Sequence, residues 1–222
     1  MRGRGSGFLR SVSEPWFPVA CAQCGRSGGS PCRACLDALV AADSVPDLAP
    51  YCSALALLRY DEISRPFIAD LKFRGQWSVA RTLAPAMASL LDDKMKDAVA
   101  SPVLTWAPTT EDRIRRRGYD QAEVLAAAVG RRMGLRVRRL LRRCPGDHQT
   151  GRSRRERSSG IVFESLRSCG GTVVVIDDVI TTGATMRAAA EVIRWSGATD
   201  VIALALAATP PRGPMAVEAD DS

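Results

Sequence analysis

From Thr172 to Ile176 the chain runs through five consecutive β-branched residues. A run with no polar face cannot lie on a half-solvated sheet, so it reads as a strand buried on both sides, the setting of a parallel sheet clad by helices. Its continuation is as informative. Asp177 and Asp178 follow, then Val179 and Ile180, and then Thr181-Thr182-Gly183-Ala184-Thr185 leads into a helical pattern over Ala184–Trp195. Parallel sheets bind ligands at the carboxyl ends of their strands. There a glycine turn and the first N–H groups of a helix converge into an anion site. Gly183 permits close backbone approach, and the hydroxyls of Thr181, Thr182 and Thr185 can donate to a monophosphate. No lysine follows the glycine, so this is not a Walker loop. Two adjacent carboxylates beside an anion site need a donor-rich partner, and a ribose diol with a magnesium ion supplies one. The plainer alternative, an acidic pair ending a strand before a threonine cap, suits the pair alone better than the whole string Val173–Thr185.

The rest of the chain alternates in the same way. Strands are expected at Ser53–Tyr60, Val103–Trp106, Leu135–Leu141 and Val201–Leu206. Helices are expected at Ile63–Leu71, Trp77–Met95 (Pro85 a kink or boundary) and Tyr119–Met133, with Gly75 and Gly197 as caps. This argues for an α/β fold with a doubly wound, mostly parallel sheet. Residues 1–18 read as a flexible leader, 19–50 as a small cysteine module with a linker, 51–208 as the main domain and 209–222 as a disordered tail. No apolar run approaches the roughly 18 residues that span a bilayer, and the leader lacks the apolar core of a secretory signal. A cytoplasmic protein is expected.

Charge and cysteine placement add two constraints. The formal charge is +7, yet residues 113–157 hold fifteen arginines against four acids, leaving the remainder net acidic. Such a belt attracts phosphate, on a metabolite or on nucleic acid; a solvated arginine-rich face is the alternative. His148, the only histidine, reads as a solvated loop residue. Four of seven cysteines form Cys21-x2-Cys24-x7-Cys32-x2-Cys35 around a centre of turn-formers. In a reducing compartment paired CxxC units point to a metal more than to disulfides. An iron–sulfur cluster and four unliganded thiols remain the alternatives.

The string Val173–Thr185 resembles the 5-phosphoribosyl pyrophosphate (PRPP) signature of type I phosphoribosyltransferases. Ahead of it stand, in order, the four-cysteine knuckle, Leu71-Lys-Phe-Arg-Gly75, Arg117-Gly-Tyr-Asp-Gln-Ala122 and Gln149-Thr-Gly151. Over about residues 20–208 this order resembles the ComF/GntX-type family, phosphoribosyltransferase-like proteins known from bacterial competence for DNA uptake. The resemblance implies a type I phosphoribosyltransferase sheet with a structural zinc knuckle at Cys21, Cys24, Cys32 and Cys35, a tetrathiolate with no open position. It implies that Asp177 and Asp178 hold the ribose hydroxyls, and that Thr181, Thr182, Gly183, Ala184 and Thr185 hold the 5′-phosphate. Lys72, Arg74, Arg117, Arg154 and Arg157 would serve the pyrophosphate end and a hood over Asp147–Gly160.

Three positions depart from the family pattern. Trp106-Ala107-Pro108 keeps half of a Pro-x-Pro turn, Asp120 replaces the usual asparagine, and Arg157-Ser-Ser-Gly160 lacks the expected asparagine. An acid at 120 is expected to weaken the positive field beside the phosphates. The implied activity is phosphoribosyl transfer from PRPP, with magnesium, to an acceptor the sequence does not name. The alternative is a non-catalytic sensor of PRPP or a nucleotide that binds single-stranded DNA, or a DNA-processing partner, during DNA uptake.

Overall fold

The structure, a computed structural model, describes residues 19–74, 77–96, 101–144 and 160–210. The leader, Gly75, the Asp147–Ser159 stretch with Arg154 and Arg157, and the tail beyond Pro210 lie outside these.

Four parallel strands make the central sheet: β1 (Ser53–Arg59), β2 (Val103–Trp106), β5 (Thr172–Ile180) and β6 (Asp200–Ala208), in spatial order β1-β6-β5-β2. The strand period of two sorts the β5 and β6 side chains between two cores. Val174, Ile176, Ile202, Leu204 and Leu206 meet α2 (Arg65–Phe73), α3 (Trp77–Lys94) and α5 (Gln121–Met133). Val173, Val175, Val201, Ala203 and Ala205 meet α6 (Ala184–Trp195) and the short antiparallel ribbon of β3 (Leu141–Arg143) and β4 (Phe163–Ser165). Helices on both faces establish the doubly wound arrangement.

Several elements differ from the sequence expectation. Helix α3 runs through Pro85 without ending. Its buried stripe of Leu83, Ala84, Met87, Ala88 and Leu91 outweighs the lost hydrogen bond, and Pro85 itself lies on the exposed side. Leu135–Leu141 is not a full strand. It touches the β2 edge at one bridge, Leu104–Val137, where Leu104 N donates to Arg136 O and Leu104 O accepts from Arg138 N, both at 2.9 Å. Strand β5 continues to Ile180, carrying the acidic pair within the sheet, because β6 stays paired with it as far as Ala208. The helix after Gly118 starts at Gln121, capped by Asp120, and the C-cap of α6 is Ser196, one residue before Gly197.

The outer edge of β1 is also occupied. Ala42 N donates to Leu57 O at 3.1 Å and Arg59 N to Val40 O at 2.9 Å, an antiparallel bridge formed by the linker. The cysteine module itself, with α1 (Arg33–Asp37), is joined to the main body, since Cys21 and Cys35 belong to the same core as Phe67, Leu71 and Leu58.

Candidate functional site

A cleft of about 500 Å³ opens above the carboxyl ends of the sheet. Tyr60 follows β1, Ala107-Pro108-Thr109 follows β2, and Asp177, Asp178 and Val179 come from β5. Thr181 and Thr185 form its wall ahead of and inside α6. Its cations are Arg65 and Lys72 from α2, Arg113 and Arg117 from α4 (Glu111–Arg117), and Arg143 from β3. Against two acids this is a positive surplus suited to a polyanion.

The pleat sends the two acids to opposite faces. Asp178 follows Val174 and Ile176 toward α2, where its Oδ2 lies 3.2 Å from Lys72 Nζ. That oxygen is buried and, despite the ion pair, receives no hydrogen bond of good geometry. Asp177 follows Val173 and Val175 toward the ribbon, and its Oδ1 accepts from Asp178 N at 2.8 Å. Burial, and after it the neighbouring Asp178 carboxylate, push the Asp177 carboxyl well above the ordinary carboxylate range. Arg143 is the matching cation on that side. Its guanidinium lies 5.8 Å from the Phe163 ring centroid, and burial, then the nearby Arg113, make it easier to deprotonate than usual.

The first turn of α6 is built for close approach. Gly183 is its N-cap with φ of +77°, a conformation costly for any residue with a Cβ. Gly183 itself has no side chain to compete for the first N–H groups of the helix. Thr182 Oγ1 accepts only a long 3.4 Å contact from Ala184 N.

Helix α4 was not anticipated, though its signals are present: Thr110 as N-cap, Glu111 and Asp112 in the first turn, three arginines in the last, and Gly118 left-handed beyond it. It presents Arg113 and Arg117 to the cleft. Arg117 Nη1 donates to Gln121 Oε1 at 2.9 Å and its guanidinium lies 4.7 Å from the Phe73 ring centroid. Tyr119 Oη donates to Leu71 O at 2.6 Å, tying this turn to the end of α2 beside Lys72.

Asp120 adds its charge to the effects that raise Asp177, as an acid at this position was expected to do, and it has a second role besides. It does not line the cleft. It is 3% exposed, its Oδ2 accepting from Thr109 N at 2.9 Å and its Oδ1 from Ala122 N at 3.0 Å. It therefore caps α5 and pins the loop after β2, while burial raises its pKa. Asp120→Ala should cost about 2–4 kcal/mol in chemical denaturation, because two buried N–H groups lose their acceptor. Asp120→Asn keeps one acceptor and turns an amide donor on the other N–H, so a smaller loss of roughly 1–2 kcal/mol is expected.

Of the expected site residues, Asp177, Asp178, Lys72, Arg117, Thr181 and Thr185 line one cleft. Thr182, Gly183 and Ala184 continue the same turn without lining it. Arg74 points elsewhere, pairing with Asp70 at 3.1 Å one helical turn back. Arg154 and Arg157 lie outside the described residues. Arg65, Arg113 and Arg143, also in the cleft, were not singled out.

The four expected metal ligands do come together. The Sγ atoms of Cys21, Cys24, Cys32 and Cys35 all lie within 4.8 Å of one another, with Cys24 and Cys32 3.6 Å apart. Sulfurs about 2.3 Å from one tetrahedral centre stand roughly 3.8 Å apart, so the set fits a tetrathiolate ion. Cys32 N donates to Cys21 Sγ at 3.5 Å. Against the opposing effect of burial, such backbone donors hold the Cys21 thiol down at about 6, while burial and its thiol neighbours push Cys35 up to about 12.

The chain is similar to several known proteins. The phosphoribosyl transferase domain family matches residues 119–222. Competence protein ComFC of Streptococcus pneumoniae is 27% identical over 150 residues, covering 66% of this chain and 64% of that protein. ComFC of Bacillus subtilis is 26% identical over 141 residues, 62% of this chain and 56% of that one. DNA utilization protein YhgH of Salmonella typhi is 24% identical over 191 residues, 82% and 80%. The chain thus spans less than two thirds of the length of either ComFC. Among solved structures, the glutamine PRPP amidotransferase of B. subtilis overlaps 63% of this chain and 30% of its own, at 19% identity and a TM-score of 0.41. Taken with the four-cysteine cluster ahead of the matched domain, these relatives support a phosphoribosyltransferase-like protein of the ComF type.

Proposed function

We propose that the cleft binds PRPP and that the protein transfers its phosphoribosyl group, with release of pyrophosphate, to an acceptor. The observation that carries this reading is the meeting of Asp177 and Asp178 with Thr181 and Thr185 in one cation-rich cleft at the strand ends. Asp177 and Asp178 accept from the ribose hydroxyls. Thr181, Thr182, Gly183, Ala184 and Thr185 surround the 5′-phosphate, with the N-terminus of α6 behind it. Lys72, Arg113, Arg117 and Arg143 face the pyrophosphate.

Cleavage of the C1–O bond leaves an oxocarbenium-like sugar and carries its electron pair onto pyrophosphate, so positioning and charge stabilisation outrank a strong nucleophile. Asp177 and Asp178 are the cleft residues whose oxygens could help hold a magnesium ion brought in with the diphosphate, and when bound it would neutralise part of the pyrophosphate charge. Zinc is proposed for the four thiolates, in a structural role with no part in the chemistry.

The names of the relatives favour a second reading, a PRPP-binding partner in DNA uptake that contacts single-stranded DNA. The exposed Arg116 of α4 and the 68% exposed Phe73 offer a charge and a stacking face for it. Its distinguishing mark is oligonucleotide binding that weakens steeply with salt.

The transferase reading is tested by screening bases and amines for PRPP-dependent pyrophosphate release. Release with one acceptor class, lost in Lys72→Ala, is the expected result. PRPP binding with no release across the screen would leave only the second reading.

A further inference from the structure

The segment between the cysteine module and β1 reaches across to the proposed phosphate loop. Leu48, 1% exposed, packs so closely on Gly183 that a Cβ added there would collide with Leu48 Cδ2. The segment is stiff at this point. Asp47 Oδ1 accepts from Ala49 N at 2.9 Å, and Leu48 O accepts from Tyr51 N at 3.0 Å. Two arginines two helical turns apart on α6 fasten it. Arg194 Nε donates to Tyr51 O at 2.5 Å, and Arg187 Nη1 donates to Asp47 O at 3.2 Å.

Arg187 also has a second partner. Its Nη2 donates to Thr182 O at 2.5 Å, so one guanidinium bridges the linker and the loop. In a trans peptide the carbonyl and the following N–H point in opposite directions. Drawing Thr182 O toward Arg187 therefore turns Gly183 N–H away from the linker.

We infer that Arg187 and Leu48 are positioning residues for the phosphate loop, holding the Thr182–Gly183 peptide so that its N–H faces a bound 5′-phosphate. Neither lines the cleft, and both act through Gly183. The inference rests on the phosphate reading of Thr181–Thr185. It goes beyond that reading by assigning the loop's conformation to the linker and to a side chain one turn inside the helix. Arg187 contributes geometry here in addition to charge. Lysine at 187 keeps the charge but can hold only one of the two carbonyls well, because it lacks the fork of the guanidinium.

The test uses full-length protein and two ligands. Ribose 5-phosphate engages the loop, while inorganic pyrophosphate engages the cations across the cleft. Affinities are measured by titration calorimetry for wild type, Arg187→Ala, Arg187→Lys and Leu48→Ala. Arg187→Ala is expected to weaken ribose 5-phosphate about tenfold or more and to leave pyrophosphate within about twofold. Arg187→Lys should recover part of the loss, and Leu48→Ala should weaken ribose 5-phosphate selectively. If wild type binds ribose 5-phosphate and Arg187→Ala binds it equally well, the positioning role is overturned while the phosphate site stands. If both ligands weaken together, the role is general stability and the inference fails. If wild type binds pyrophosphate but no ribose 5-phosphate, the phosphate reading falls and the clamp with it.

Discussion

Replacing Asp177 and Asp178 together by asparagine is expected to weaken PRPP binding, measured with magnesium by calorimetry, by roughly 100-fold. Each carboxylate would make a charge-assisted hydrogen bond to a ribose hydroxyl, worth about 1.5–3 kcal/mol, and a pair of modest ones reaches that factor. The same variant should not lose stability. Asp177 is ionised at a cost, because burial and the Asp178 charge hold its pKa above the usual 3.8. That cost appears as pH rises past 3.8 and is complete above the raised folded value, so asparagine removes it. Lys72, 27% exposed at its side chain, keeps access to water when its partner is neutral. The proton linkage gives a second reading in the same experiment. A ligand that favours ionised Asp177 releases a proton on binding, so wild-type affinity should strengthen with pH through the raised pKa and then level off. The double variant should lose this release. Equal affinity in both proteins would remove the acidic pair from the site.

Replacing Cys24 and Cys35 by serine is expected to take bound zinc from about one ion per chain to none, by metal analysis of the purified proteins. The larger effect should be on stability. A structural tetrathiolate contributes its binding free energy to folding, apparent values in small zinc modules being about 10–16 kcal/mol. Only part of that would pass to the main domain. The route is visible, because Cys21 and Cys35 sit in the same core as Phe67 and Leu71 of α2, the helix that carries Lys72. A clear fall in thermal midpoint should therefore accompany metal loss. A chelator added to wild type should reproduce it, and a zinc-free protein with an unchanged midpoint would overturn the structural role.

What the sequence made legible was the part whose physics is local. The β-branched run before Asp177 leaves few choices for its strand, and the bounds expected for α6 are those observed. The cysteine spacing likewise announced the thiol cluster, since ligands within fifteen residues need only two turns to converge. The cleft was legible only where it borders those segments. Arg65, Arg113 and Arg143 come from a helix, a short helix and a three-residue strand, and only the tertiary fold brings them to one cleft. Arg74 shows the opposite failure. It stands two residues from Lys72 in sequence, but a helix turns such neighbours about 200° apart, and it finds Asp70 instead. Asp120 was legible as an acid, but its hold on Thr109 N was not, because that donor lies across a separate turn. Strand β4 is too short for any periodicity, and it forms because Arg143 and Leu141 offer it a register.

The bridge between Val40–Ala42 and β1 has a consequence for the life of the folded protein in a crowded solution. An open parallel sheet ends in two rows of unpaired N–H and C=O groups, each a template for another chain. Here the linker covers one row, and the Arg136–Arg138 stretch covers part of the other at Leu104. Neither segment is a long strand, so neither creates a fresh flat edge of its own. The same short peptide that joins the cysteine module to the sheet thus serves as a guard against strand-by-strand self-association.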